Sequence, residues 1–364
     1  MPHDRRLVAL FAVLALTGCS ARAATTTELH APPGFVISVV STRVPGARFL
    51  AVAPNGDVLV SQMSRDRVVA LTPGAPPDAE PKVVITGLPI AHGLAFRGDD
   101  LYVAAWSGVT KLHYPPADGT PHETLFSGMP QGGDHNHRAI ALAADGTIFV
   151  SSASDCNVCI ETDPRFATVL RYDAHGGKGT IYASGVRNAS GLAFDDSGHL
   201  WAVINGRDGI GDDLPPDEVD QIVGGANYGW PYCYAGNGNR VPNPEYKDPA
   251  KCAGTHPSEL NLPAHVAPLQ IAFYRGTQFP ARYRGALFVA DHGSWNRSSK
   301  VGYKVVVVFF GNGRPQRAED FVTGWLHADQ SVSGRPVGVA VGNDGSLYIS
   351  SDTNGTIYRV TYKP

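Results

Sequence analysis

Six times along this chain a polar lead-in runs into a short apolar strand, turns at a glycine and returns as a second strand. The segments are ARFLAVAPNGDVLVSQ (47–62), HGLAFRGDDLYVAAW (92–106), HRAIALAADGTIFVSS (137–152), ASGLAFDDSGHLWAVI (189–204), PLQIAFYRGTQFPARYRGALFVAD (268–291) and PVGVAVGNDGSLYISSD (336–352). Each is followed by a further β-rich piece, such as RVVALTP, VTKLHY, TVLRYD, GYKVVVVFF or TIYRVTY. The turn glycines (56, 98, 146, 198, 285 and 345) are mostly 42 to 60 residues apart, and an 87-residue gap between the fourth and fifth marks an insertion. A unit that cannot bury its own faces must stack on its neighbours, and a hairpin with an outer strand at this period reads as one blade of a β-propeller. No helical period competes over a comparable length. The chain is expected to be all-β, a six-bladed β-propeller over 34–364, with GFVISVV (34–40) completing the last blade and closing the ring.

The N-terminus reads as a leader. Arg5 and Arg6 precede an apolar run, 7–16, too short to span a bilayer but suited to a signal peptide. LTGC at 16–19 has the form of a lipobox. Residues 1–18 are then removed, Cys19 becomes the lipidated first residue, and 19–33 form a tether. Cleavage after Ala23 would instead release a soluble periplasmic protein. In either case the chain is expected outside the cytoplasm, touching a membrane only through a lipid anchor. Four cysteines remain, Cys156, Cys159, Cys233 and Cys252, an even number for an oxidising compartment. The local pairings are Cys156–Cys159 and Cys233–Cys252. A CxxC also serves as a redox pair or half a zinc site, but with no second CxxC and no following helix a structural disulfide is expected. The insertion, 230–263, is rich in Gly, Asn and Pro, has no strand pattern of its own, and would need the second pair as a staple. A net charge of −3 with no long basic run excludes nucleic acid as a partner.

In a propeller the inner strands line the channel, so their starts and the ends of the second strands share one face. The starts carry Arg48, His92, His135 with Arg138, Arg187 with Asn188, His265, and Arg335; the ends carry Gln62, Trp106, Asp155, Asn205, and Asp291 with His292. A cation from every blade at one face, in a chain of net charge −3, suits a ligand with several carboxylates or phosphates. The turn side shows no such enrichment. His135 in GGDHNHR is a candidate general base, with Asp134 placed to orient it. NGRDGIGDD (205–213) offers carbonyls and carboxylates for Ca²⁺ without the EF-hand spacing. HGSWNR (292–297) provides Trp295 either as a plug or as an aromatic wall.

The motifs GFVISVV, HGLAF, DHNHRAIALAADGTIFVSSASDCNVC, GVRNASGLAF, GRDGIGDDLPPDE, ANYGWPYCYAG, AHVAPLQIAFY, DHGSWNR, GYKVVVVFF and GRPVGVAV, in this order, resemble the PQQ-dependent sugar dehydrogenases. They look closest to the sorbosone dehydrogenase-like branch of the soluble glucose dehydrogenase type, over essentially 34–362. The resemblance implies a six-bladed propeller holding PQQ and Ca²⁺ on one face. It implies His135 as the base taking the proton of a sugar hydroxyl, and Arg187 beside the quinone oxygens, stabilising negative charge. Asn188 would also contact the cofactor, the carbonyls of Gly206 and Arg207 would ligate Ca²⁺, and Arg335 and Arg297 would bind its carboxylates. His92, His265, Asp134 and Arg138 complete the candidate cofactor surface. Two positions depart from the glucose enzyme: Gly206-Arg207 stands where it has Gly-Pro, and Val337 where it has a second carboxylate-binding arginine. No CxxCH haem motif follows, so electrons are expected to leave to a separate quinone or cytochrome. The competing readings are a metal-dependent lactonase-type hydrolase and a non-catalytic ligand-binding propeller lipoprotein.

Overall fold

The computed structural model describes residues 29–117 and 121–364. The expected signal peptide, Cys19 and most of the tether lie outside these residues. Six four-stranded antiparallel sheets follow one another around a ring, as the repeats require. The inner strands are Leu50–Val52, Gly93–Arg97, Ile140–Leu142, Ala189–Phe194, Pro268–Phe273 and Pro336–Val341. The sixth blade is completed from the other end of the chain: Phe35–Ser41 pairs antiparallel with Thr356–Tyr362 from Phe35↔Tyr362 onward. Phe35 seats edge-on against Phe279, Tyr283 and Phe321, with ring centroids 4.8, 5.3 and 5.0 Å away. Early and late segments thus bury each other, and the outer edge of Thr356–Tyr362 is covered.

The cores lie between blades. One cluster sets Trp201, Val203 and Val219 of the fourth blade against Val289, Val306 and Val308 of the fifth. Second strands such as Ile148–Ser152, Leu200–Ile204 and Leu287–Asp291 are buried at every residue, because a blade covers each of their faces. At the axis the inner strands approach so closely that a Cβ at Gly93 would strike the Arg138 carbonyl, and one at Gly191 the Leu269 carbonyl. Gln270 crosses the channel, donating to the Leu50 carbonyl at 2.7 Å and accepting from its N–H at 2.8 Å.

The insertion departs from the expected loop. It contains a hairpin, Cys233–Ala235 with Arg240–Pro242, and its far end, Leu260–Leu262, is the outermost strand of the fourth blade. Sequence reading missed these because three-residue strands are too short to show a period. Arg240 clamps the hairpin to the third strand of that blade through Glu218 at 2.6 Å and Asp220 at 3.1 Å, all three side chains being buried. Both expected disulfides are present, Cys156–Cys159 and Cys233–Cys252. The second closes 19 residues, a loop worth about 3 kcal/mol of denatured-state entropy, while the first closes three residues and contributes roughly 2.

Candidate functional site

The strand starts converge on a cavity of about 360 Å³ at one mouth of the channel, lined among others by Arg48, Asp134, His135, His137, Arg187, Asn188, Asp208, Asp217, His265 and His292. Blades one, three, four and five supply these walls. Register shifts at the starts of the fourth and fifth inner strands, between Ala189 and Gly191 and between Pro268 and Ile271, re-aim the residues there.

His135 sits on the loop before the third inner strand. Its Nδ1 lies 2.8 Å from the Ser154 carbonyl. A carbonyl only accepts, so Nδ1 carries the proton and Nε2 keeps its lone pair. Burial, then the Arg187 charge, lowers the pKa of His135, which stays neutral and basic at pH 7. Asp134 was expected to orient the ring; it lines the cavity instead, and its backbone N–H donates to Asp155 O at 3.0 Å. The orienting acceptor is a main-chain carbonyl, which no side-chain pattern announces.

Arg187 is buried and held by four hydrogen bonds. It donates to Gly206 O at 2.7 Å, Asn205 O at 3.1 Å, Asn157 O at 3.3 Å and Asn157 Oδ1 at 3.0 Å, and lies 5.3 Å over the Trp230 ring. Burial brings its pKa down to about 10, so it remains charged at neutral pH. Asn188 donates to Asn205 Oδ1 at 3.1 Å, while its own Oδ1 is buried without a partner.

The cavity is polarised. On the side of the fourth and fifth blades lie the Gly206 carbonyl, Asp208, and Asp217, which accepts from the N–H groups of Gly206 and Ala267 at 2.7 and 2.8 Å. Burial pushes Asp217 up to about 6. Asn296 donates to Asp208 at 2.6 Å, and its Oδ1, like that of Asn188, has no donor. Elsewhere in the lining Arg48 of the first blade and His292 of the fifth share Asp352, at 3.0 Å each, and Arg48 Nε and His137 Nε2 are buried without partners. Unpaired acceptors at one corner suit a cation, and unpaired nitrogens at the other suit an anion.

The remaining expected residues stand behind this lining. His92 is fully buried, its Nδ1 3.2 Å from Arg138 O and its ring 4.1 Å from Phe49. Arg138 turns to the carbonyls of Trp106 and Pro130. Arg335 donates to His292 O at 3.1 Å and Gly293 O at 2.6 Å and rests over Tyr303. Arg297 points to Asp213 at 2.6 Å. None of these four side chains lines the cavity, so the ring of cations is a ring in sequence and only partly one in space. The Arg207 side chain leaves the site to meet Asn243 and Glu245 of the insertion. His265 does line it, bonded through Nε2 to Gly211 O at 2.8 Å, with Asp208 3.6 Å from Nδ1. His137 and Asp217 were not singled out, and Asp208 and Asn296 only as members of the segments 205–213 and 292–297, although the alternation His135, Asn136, His137 was a visible signal.

The cationic corner holds its imidazoles neutral. Burial, with Arg48 and Arg335, lowers His292 to about 4, despite its bond to Asp352. The unfolded chain protonates this group below about 6.5, while the folded one waits until about 4, so the group costs stability as pH falls through that window. Asp352, held low by His292 and Arg48 against its burial, stays ionised throughout. His292→Gln is therefore expected to be less stable than wild type at pH 7, with the gap narrowing steadily toward pH 4. Urea unfolding of both proteins across that range checks this; a gap independent of pH contradicts it.

Comparison with known proteins agrees with this architecture. A Borreliella burgdorferi protein described as uncharacterized is 36% identical over 247 residues, covering 66% of this chain and 64% of its own. The PQQ-dependent pyranose dehydrogenase of Coprinopsis cinerea is 25% identical over an alignment covering 92% of this chain and 54% of its own. This chain thus spans less than two thirds of the length of either relative. The holo form of the Coprinopsis cinerea pyranose dehydrogenase PQQ domain superposes with a TM-score of 0.80 at 24% identity, over 92% of this chain and 97% of that one, a likeness of fold. The TrAA12-like family model matches residues 29–363, and the chain belongs to that family, which is in keeping with the PQQ-dependent sugar dehydrogenase motifs in its sequence.

Proposed function

We propose that the protein is a PQQ- and Ca²⁺-dependent sugar dehydrogenase, oxidising a hydroxyl-bearing carbon of an aldose-like sugar. The observation that carries this reading is the polarised cavity, with the unprotonated Nε2 of His135 beside the Arg187 guanidinium. A planar tricarboxylate can pair with nitrogen donors through its carboxylates and share a metal with protein oxygens, and the cavity offers buried nitrogens (Arg48 Nε, His137 Nε2) and buried amide oxygens (Asn188, Asn296) without partners. Arg48, His137 and His292 would hold carboxylates. Asn188, Asp208 and the Gly206 carbonyl would hold Ca²⁺, although that carbonyl already accepts from Arg187.

When bound, PQQ supplies a two-electron acceptor for hydride from the sugar carbon. His135 Nε2 takes the hydroxyl proton, its ring held by the Ser154 carbonyl. Arg187, kept charged and fixed by four hydrogen bonds, supplies positive potential where negative charge develops. Trp295, 75% exposed at the rim, offers a flat apolar face to a sugar ring. Electrons then pass to a separate acceptor, and we place the protein outside the cytoplasm, lipid-anchored through Cys19.

The test is an absorbance titration of the protein with PQQ, with and without Ca²⁺, followed by aldoses. Saturable binding strengthened by Ca²⁺, then bleaching on sugar addition, is expected. Hydrolysis of lactones by the metal-loaded protein without quinone would transfer the site to the hydrolase reading. Ligand binding with no electron transfer to dyes across a sugar panel would leave a binding protein.

A further inference from the structure

One group of side chains next to the cavity has no part in this chemistry. Asp155, Cys156, Cys159 and Glu161 sit on the loop after the second strand of the third blade, with one donor atom from each lying within 4.8 Å of the others. Cys159 Sγ is 3.4 Å from Asp155 Oδ1. The Glu161 carboxylate accepts from the Asp155 N–H through Oε2 at 3.5 Å. Its Oε1 is buried with no partner. Two carboxylates are thus held against two sulfurs. The covalent link closes only three residues, and all four side chains are half-buried, within reach of a small reductant. Cys233, in the other disulfide, is 1% exposed.

We propose that reduction of the Cys156–Cys159 disulfide opens a binding site for a borderline-soft divalent cation such as Zn²⁺, with Asp155, Cys156, Cys159 and Glu161 as its four ligands. The reductant is a dithiol, or a phosphine that with one water becomes its oxide while the water's two protons go to the thiols. With a dithiol, two electrons and two protons pass to the protein, the S–S bond breaks, two thiols form, and the dithiol becomes a disulfide. The cation then displaces both thiol protons and is held by two thiolates and two carboxylates, a four-coordinate set that zinc accepts. The site adjoins the proposed base, because Ser154 O supports His135 and Asp155 O accepts from Asp134.

The experiment uses the full chain, oxidised or reduced with a phosphine, dialysed against Zn²⁺ alone and assayed for bound metal. Reduced wild type is expected to hold one more zinc than the oxidised protein. A C156S/C159S variant that melts where the reduced wild type does, treated identically, should gain none. In reduced D155N/E161Q the extra zinc should bind at least tenfold more weakly. Co²⁺ in place of zinc should give thiolate-to-metal absorption in reduced wild type and not in C156S/C159S. Equal zinc in both redox states, resistance of the bridge to reduction in the folded protein, or an extra equivalent that survives C156S/C159S overturns the proposal. An extra zinc indifferent to D155N/E161Q overturns the four-ligand site. No turnover is measured, so these outcomes stand apart from the quinone reading.

Discussion

His135→Ala is expected to lower kcat for sugar oxidation by about 10² to 10⁴-fold, the usual span for a positioned general base, while PQQ affinity changes little. The imidazole is half-buried and makes a single hydrogen bond, to Ser154 O, so its removal leaves one carbonyl acceptor to be rehydrated from the cavity. Folding should therefore survive and the loss should be chemical. His135→Gln, which keeps a donor for Ser154 but no basic nitrogen, should be as inactive as alanine. The pH profile adds a sign. Burial and Arg187 lower the imidazole pKa, so the wild-type rate should hold through neutral pH and fall only on acidification below the ordinary histidine range. Steady-state kinetics with PQQ-saturated protein decides; full turnover by either variant removes His135 from the chemistry.

Arg187→Met should be damaging in two separable ways. Its guanidinium, itself buried, satisfies Gly206 O, Asn205 O, Asn157 O and Asn157 Oδ1. Leaving several of those acceptors without donors should cost about 3 kcal/mol of stability, at roughly 1 kcal/mol or more for each. Loss of its charge should lower kcat by a further 10² to 10³-fold, as for removal of one electrostatic donor. Arg187→Lys should recover part of the rate but little of the stability, since one ammonium cannot span carbonyls on two loops. Urea unfolding and single-turnover kinetics separate the two effects. An unchanged unfolding midpoint would contradict the first, and a normal rate in folded protein the second.

Much of this molecule was legible in its sequence because a propeller repeats itself. The hairpin period gave six blades, and the unpaired GFVISVV at one end implied closure of the ring. Two cysteine pairs close in sequence required no long-range information. His135 and Arg187 were legible because each precedes an inner strand, and every inner strand begins at the same mouth. The small hairpin inside 230–263 was not, because its strands are three residues long and rely on the Arg240 clamp and a disulfide for their place.

What the sequence determined by itself was the architecture and the mouth at which charge would gather, since both follow from alternation and spacing along the chain. Only the tertiary structure decided which of those charges face the cavity. Arg138, Arg335 and Arg297 begin at the right end of their blades but are drawn aside by the carbonyls of Trp106, Pro130, His292 and Gly293 and by Asp213. Asp208 and Asp217, from the loop and third strand of the fourth blade, enter it instead. The reason is physical: a strand's period sets the side of the sheet on which a residue leaves the chain. Where a long side chain ends is settled by whichever partner, often distant in sequence, satisfies its hydrogen bonds at the least cost in desolvation.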